Sequence, residues 1–295
     1  MLVGIANIIP GVSGGTFALV LGIYERLLAS VGAFGTRSGK ILFRVLIRPT
    51  DPDAKAQFGQ EFRRTDALWL MVLMFGAGVA ILASSHLIAF LLDQHREPTF
   101  AFFVGLILPS VLVPLALLDR KGFRELLSCL SAIAALIGLV MFFEPATGEG
   151  TGLISLFAAG AIAISAMILP GVSGSFILMV MGEYRTVLLA INTLDFTQLA
   201  VFGAGCVLGL LAFVRLLNFL LRRFHSITIA FLIGLIIGSL WVLWPFKEVA
   251  EGAKIITGTN IWPLTYGPEF AWSIASFVLG LACSAGLYFW GKDRK

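Results

Sequence analysis

Charge is what this sequence has least of. Only 13% of its 295 residues are Asp, Glu, Lys or Arg, about half the share of an ordinary soluble domain, while 58% are hydrophobic. So thin a polar coat excludes a water-soluble enzyme, and the net charge of +4 has to be read by position, not as a basic surface for nucleic acid. Cysteine and histidine are equally sparse, at three each. Cys129, Cys206 and Cys283 stand singly in apolar segments without disulfide or metal-ligand spacing, so three buried thiols with no redox role are expected, and no metal or cofactor. Two further patterns are missing: the alternation of a membrane barrel strand, and a basic stretch ahead of the first apolar residues. The opening residues are therefore expected to belong to the fold.

What fills the chain is apolar runs of about 17 to 25 residues, long enough as helices to cross a hydrocarbon core of about 30 Å. Spans are expected near 68–92, 99–118, 124–143, 200–221, 226–246 and 270–290. The fold class predicted is an all-α polytopic membrane protein.

Two of the most apolar stretches carry the same helix breaker. Pro10-Gly11-Val12-Ser13-Gly14 returns 160 residues later as Pro170-Gly171-Val172-Ser173-Gly174, and Gly22, Tyr24 and Leu28 fall on Gly182, Tyr184 and Leu188. Further blocks match in the same order: Phe75–Gly78 with Phe202–Gly205, His86–Leu92 with Arg215–Leu221, and Thr99–Ile107 with Thr228–Ile236. Across these blocks the shift falls to 127 and then 129 residues, because the first half carries a polar insertion around 35–66, expected as a surface loop or an amphipathic interfacial helix. Co-linear blocks of this kind mark a duplication, with repeats at 1–143 and 153–291.

The distribution of Lys and Arg sets the topology. Arg37, Lys40, Arg44, Arg48, Lys55, Arg63 and Arg64 make the 35–66 segment cytoplasmic by the positive-inside rule, and Lys292, Arg294 and Lys295 put the C-terminus on the same side. Working through the spans, both ends of 153–192 fall outside, although the segment is largely apolar. It is predicted to enter the membrane and return as a re-entrant helical hairpin turning at Pro170–Gly174, and residues 1–30 to do the same from inside. Each half is then one hairpin plus about three spans, an inverted repeat of the kind used by secondary transporters. The protein is expected to be multi-pass in the plasma (inner) membrane with both termini cytoplasmic.

The breakers have a chemical use. Proline lacks an N–H and glycine tolerates left-handed backbone, so each motif ends one helix and starts another, with Ser13 or Ser173 as N-cap. The uncovered amides that follow suit a phosphate or carboxylate, while the absence of a Gly-Lys-Ser/Thr end argues against nucleotide hydrolysis. Ionisable residues in or beside the spans are the next candidates. His86 and Arg215 occupy matching positions, as anion counter-charges or snorkelling side chains. Arg26 and Arg185 end the two hairpins, as substrate contacts or structural ion pairs, and Glu25 is a candidate for taking up a coupled proton if it is buried. Gly76, Gly78, Gly203 and Gly205 are expected to mediate helix packing.

"GIANIIPGVSGGTFALVLGIYERLL" (Gly4–Leu28) with "ILPGVSGSFILMVMGEY" (Ile168–Tyr184) resembles the polyprenyl-phosphate transporter family, and the likeness spans essentially the whole chain. The resemblance implies a non-enzymatic flippase that returns undecaprenyl phosphate from the outer to the inner leaflet. It places Ser13, Gly14, Gly15 and Thr16, with Ser173, Gly174 and Ser175, at phosphate-handling hairpin tips. Its partners would be the polyprenyl phosphate and surrounding membrane lipids, with a homodimer compatible and no nucleic acid. Two positions depart from the family pattern: Asn7 stands where an acid is expected, and Tyr184-Arg185 where the first copy has Tyr24-Glu25. The competing readings are a transporter or channel for a small anion, and an undecaprenyl-pyrophosphate phosphatase. The second would need an arginine in the breaker loop, and neither loop has one.

Overall fold

The computed structural model describes residues 3–4, 13–142, 152–248, 258–263 and 267–292. Helices dominate it: α1 Gly14–Val20, α2 Tyr24–Gly32, α3 Thr36–Ile47, α4 Pro52–Arg64, α5 Ala67–Gln94, α6 Arg96–Ile107, α7 Leu112–Ala116, α8 Phe123–Phe142, α9 Leu153–Ile168, α10 Gly174–Val180, α11 Tyr184–Thr193, α12 Phe196–Arg223, α13 His225–Val242 and α14 Pro268–Lys292. A 3-10 turn at Leu108–Val111 joins α6 to α7 around Pro109, and the short strands β1 Lys247–Glu248 and β2 Thr259–Asn260 pair antiparallel. Among the described residues, six helical segments are long and apolar enough to cross a membrane, matching the six predicted spans.

Burial separates these segments into two kinds. Half of the apolar window of Arg96–Ala116 and 67% of that of α13 is buried, against 11–17% for the other four. The central helices are thus α6 and α13, which carry the duplicated block Thr99–Ile107 and Thr228–Ile236. Phe100, Phe103, Leu106 and Ile107 meet Leu232, Leu235 and Ile236 in one core. Around this core α14 packs on α6, α8 on α13, and α9 on α12. The outer helices turn residues such as Phe75, Leu82 and Phe142 outward, as lipid-facing surfaces must. Because that outer face is as apolar as the core, the expectation of three buried thiols is corrected: Cys283 is exposed, and Cys129 and Cys206 are half-buried. The glycine expectation is narrowed for the same reason. A side chain at Gly205 would strike the Phe157 carbonyl, whereas Gly78 and Gly203 face open space.

Long-range contacts sort the turns to two ends of the bundle. At one end Arg26 pairs with Asp66 at 2.7 Å, Arg215 donates to the Phe34 carbonyl at 3.2 Å, Asn218 donates to the Leu28 carbonyl at 3.4 Å, and His225 lies 3.2 Å from Asp119. At the other end Arg96 donates to the Lys247 carbonyl at 2.9 Å, and the rings of Phe246 and Phe270 lie 5.8 Å apart. The 35–66 segment and the turns at Asp119 and His225 thus share one end, and Arg96, Lys247 and Phe270 the other. Helices α9 and α12 run parallel, with Phe157 beside Gly205 and Ala161 beside Gly209, so residues 153 and 196 begin at the same end. At the basic end the insertion forms two helices, α3 and α4. Glu61 ties them together, taking hydrogen bonds from Arg64 and Ser38 with Arg37 at 3.6 Å, and these donors hold its carboxyl down at about pKa 2. Phe43 and Leu46 on the outer face of α3 are exposed beside Lys40 and Arg44, the pattern of an interfacial helix.

Candidate functional site

Ser13 and the residues that follow it in the first breaker motif meet the second motif, 160 residues on, inside the fold. In the second copy α9 stops at Ile168, and Gly171 takes a φ of +83° where an added Cβ would sit 2.5 Å from the Leu235 carbonyl and 2.9 Å from the Ser239 Cβ. Only glycine fits both that conformation and that approach to α13. Ser173 occupies the N-cap position of α10 without capping it; its Oγ lies 2.9 Å from Ser175 Oγ. Helix α10 runs for seven residues before the chain bends by 106° into α11.

In the first copy Pro10, Gly11 and Val12 lie outside the described residues, as do Asn7 and most of the inward limb of the expected 1–30 hairpin. From Ser13 onward the course parallels the second copy, with seven-residue α1 and then α2 after Gly22. Here the serine does cap: Ser13 Oγ accepts from the Gly15 N–H at 3.1 Å. The same Oγ lies 3.0 Å from the carbonyls of both Met167 and Leu169. Thr16 Oγ1 accepts from the Gly171 N–H at 2.8 Å, and the Tyr24 hydroxyl donates to the Ile168 carbonyl at 3.2 Å. The end of α9 would otherwise leave buried carbonyls without partners. Hydroxyls of the first tip supply those partners, each such bond adding about 0.5–1.5 kcal/mol net. A side chain at Gly15 would collide with the Ile168 carbonyl, so the tips touch backbone to backbone.

Beside this junction lies a cavity of about 310 Å³, lined by Ser13, Val172, Ser173, Gly174 and Ser175 of the tips, and closed by Ala163, Met167 and Phe202. It is at the small end of ligand-pocket sizes and too small for a long lipid. Its accessible polar groups are the Ser173 and Ser175 hydroxyls, since Ser13, at 2% exposure, is engaged with the α9 carbonyls.

Of the candidates from sequence, Ser13, Gly15, Thr16, Ser173, Gly174 and Ser175 come together here. Gly14, the first residue of α1, is buried next to them. The charged candidates lie elsewhere. Arg26 is bound to Asp66 and stacks 4.6 Å over Trp69, Arg215 holds the Phe34 carbonyl, Arg185 is exposed in the first turn of α11, and His86 is exposed on α5. Glu25 is exposed at a cavity of about 380 Å³ on the basic end, shared with Asn218, Arg222 and His225, so the burial its proton-uptake reading requires is not met. That burial is found at Glu183, which is completely enclosed with both carboxyl oxygens lacking a partner. Its counterpart in the first repeat is Ile23. An acid appearing where its repeat partner is aliphatic is the signal by which sequence could have singled it out.

Sequence reasoning also passed over a second cationic pair. Arg96 and Lys247 meet at the end opposite the basic insertion, where Lys247 is 8% exposed with its ammonium 5.8 Å from the centre of the Trp241 ring. Burial, reinforced by the Arg96 charge, brings the Lys247 pKa down from 10.5 to about 8.

Known proteins share this chain's sequence over most of its length. A family model described as undecaprenyl phosphate translocase-like matches residues 3–261. A Vibrio cholerae protein named polyprenyl-phosphate transporter is 40% identical over 262 residues, covering 88% of this chain and 80% of the relative. One of the same name from Staphylococcus aureus is 32% identical over 258 residues, covering 82% of this chain and 83% of the relative. No solved structure matches. With a junction of duplicated breakers at its centre and a family match along nearly its whole length, the chain belongs to the undecaprenyl phosphate translocase-like family of membrane proteins.

Proposed function

We propose that this protein is a translocase for polyprenyl phosphate, returning the carrier lipid from the outer to the inner leaflet of the plasma membrane. The family match and the names of its relatives support the substrate class. The observation that carries the mechanism is the small cavity beside the joined tips, where the hydroxyls of Ser13, Ser173 and Ser175 are set in an otherwise mainly apolar lining. A polyprenyl chain is at home in lipid throughout, so only the phosphate needs a polar path. Ser173 and Ser175 would offer hydroxyls to that phosphate while Ser13 and Thr16 hold the junction closed beneath it. The seven-residue α10 contributes little helix dipole, and the local hydroxyl and amide groups do the binding.

In this reading the fold is an inverted repeat in which each half supplies one re-entrant hairpin. The shared starting end of α9 and α12 and the bend between α10 and α11 support it. Inward movement of an anion against a negative-inside potential costs about 2.3 kcal/mol per charge per 100 mV. Glu183 is our candidate for taking up the compensating cation or proton: an enclosed carboxyl without a partner is expensive to keep, and such groups inside membranes commonly serve transport.

The test is leaflet exchange of a short-chain polyprenyl phosphate in liposomes containing the purified protein. Wild type is expected to exchange the lipid, and Gly174→Leu, whose side chain would strike Met167 and fill the cavity, to lose exchange. Uptake of inorganic phosphate without any polyprenyl lipid would replace the reading with a small-anion transporter. Release of phosphate from a polyprenyl pyrophosphate would replace it with a phosphatase.

A further inference from the structure

A cavity of about 950 Å³ forms an apolar groove between α5, α6 and α14, and a second of about 460 Å³ lies between α12, α13 and α8. The two are related by the duplication. Shifted by 129 residues, the lining positions Ile88, Leu91, His95, Pro98, Thr99, Phe102 and Phe103 become Leu217, Leu220, Phe224, Ile227, Thr228, Phe231 and Leu232, every one of which lines the second groove. The third wall of each comes from an outer helix, through Trp272 and Ser276 of α14 in the first and Ser128 of α8 in the second.

Each groove joins a breaker tip to one end of the bundle. The first reaches Phe17, one residue beyond Thr16, and runs to His95; the second reaches Leu169, whose carbonyl meets Ser13, and runs to Phe224. Their mouths lie at opposite ends, since His95 precedes the Arg96 that binds Lys247, and Phe224 precedes the His225 that pairs with Asp119. Cations stand at both mouths: Arg96 and Lys247 at the first, with Glu97 4.0 Å from Arg96, and Arg222 and Arg223 at the second, where Glu25 shares a cavity with Arg222. From Trp272 to Gly286 the first groove follows α14 for about 21 Å, most of a hydrocarbon core of about 30 Å.

We infer that these are two docking grooves for the prenyl tail of the transported lipid, one opening in each leaflet, each presenting a phosphate at its cationic mouth and leading to the tip junction. The inference rests on the translocase reading. Charge complementarity selects the occupant: an apolar chain with one anionic end fits an apolar channel with cations at one end only. Loading takes place at the Arg96–Lys247 mouth and release at the Arg222–His225 mouth, where the second groove and the polar cavity holding Glu25 share Leu232.

The test is photolabelling of the full-length wild-type protein in phosphatidylcholine vesicles, using a polyprenyl phosphate with a diazirine near the end of its tail. Labels are expected on Phe102 and Trp272 and on Phe213 and Phe231, about tenfold above those on the exposed lipid face of α5 at Phe75 and Leu82, and unlabelled polyprenyl phosphate should displace them. Equal labelling of the α5 face, displacement by phosphatidylglycerol as efficient as by polyprenyl phosphate, or protein–protein crosslinks through these residues would overturn the inference. Ser276→Trp, filling the first groove, should lower exchange about tenfold, whereas Ser128→Trp should lower exchange with labels on Phe102 and Trp272 retained. Labelling of both grooves in a protein that exchanges no lipid would sink the translocase reading and leave the grooves standing. Exchange with evenly spread labels would do the reverse.

Discussion

The two copies of the breaker motif begin with the same five residues and end in different employment. In the first, Ser13, Thr16 and Tyr24 are buried and spend their hydroxyls on the second copy's backbone. In the second, Ser173 leaves its helix uncapped and faces a cavity with Ser175. The contact between the two matching loops sets them apart: one braces the other's backbone, while the other turns its serines to the cavity. A substitution at the brace should therefore act first on stability, and one at the open tip on transport.

The largest effect is expected at Gly171. Gly171→Ala combines a left-handed backbone with a collision against Leu235 and Ser239, and should destabilise the protein by about 3 kcal/mol or more, read as a collapse of the melting temperature in detergent. Next comes Thr16→Val, which keeps the shape and leaves the buried Gly171 N–H without its acceptor. A loss of about 1–3 kcal/mol is expected in the same melt. Ser173→Ala should fall within about 0.5 kcal/mol of wild type in the melt while its lipid exchange drops, and a stability loss equal to that of Thr16→Val would erase the distinction between the tips. Glu183→Gln replaces an enclosed, unpartnered carboxyl with an amide of the same shape. It is expected to keep or raise the melting temperature and to remove the dependence of exchange on a proton or cation gradient.

The smallest effect lies far from both tips. Because Arg64, Ser38 and Arg37 hold the Glu61 carboxyl at about pKa 2 in place of 4.5, its contribution to the insertion is complete above pH 4.5 and is lost as pH falls toward 2. Protease access to 36–64 should rise across that window in wild type. In Glu61→Gln it should already be high at neutral pH.

How much of this was legible in the sequence follows from the range of the forces involved. Spans were legible because hydrophobic length is a local property, and Asp66, Asp119 and His225 gather at the end that carries the basic insertion. The lipid-facing side was not, since a helix such as α5 is apolar all round and offers no stripe to read. Nor were partners distant in sequence. Arg26 is linked to Asp66 across 40 residues, and Ser13 to Met167 across 154. Glu25 was the sequence candidate for proton uptake on the condition that it is buried; burial, which only the fold supplies, singled out Glu183. The candidate site was legible in its serines and glycines because breakers announce themselves, but not in the division of labour between them.

The most direct test of the central claim is the rate of leaflet exchange of a short-chain polyprenyl phosphate in liposomes holding equal amounts of folded wild type or Ser173→Ala/Ser175→Ala protein. Robust exchange by wild type and its loss in the double variant, with melting temperature preserved, is the result expected. Exchange by the double variant at the wild-type rate would contradict it.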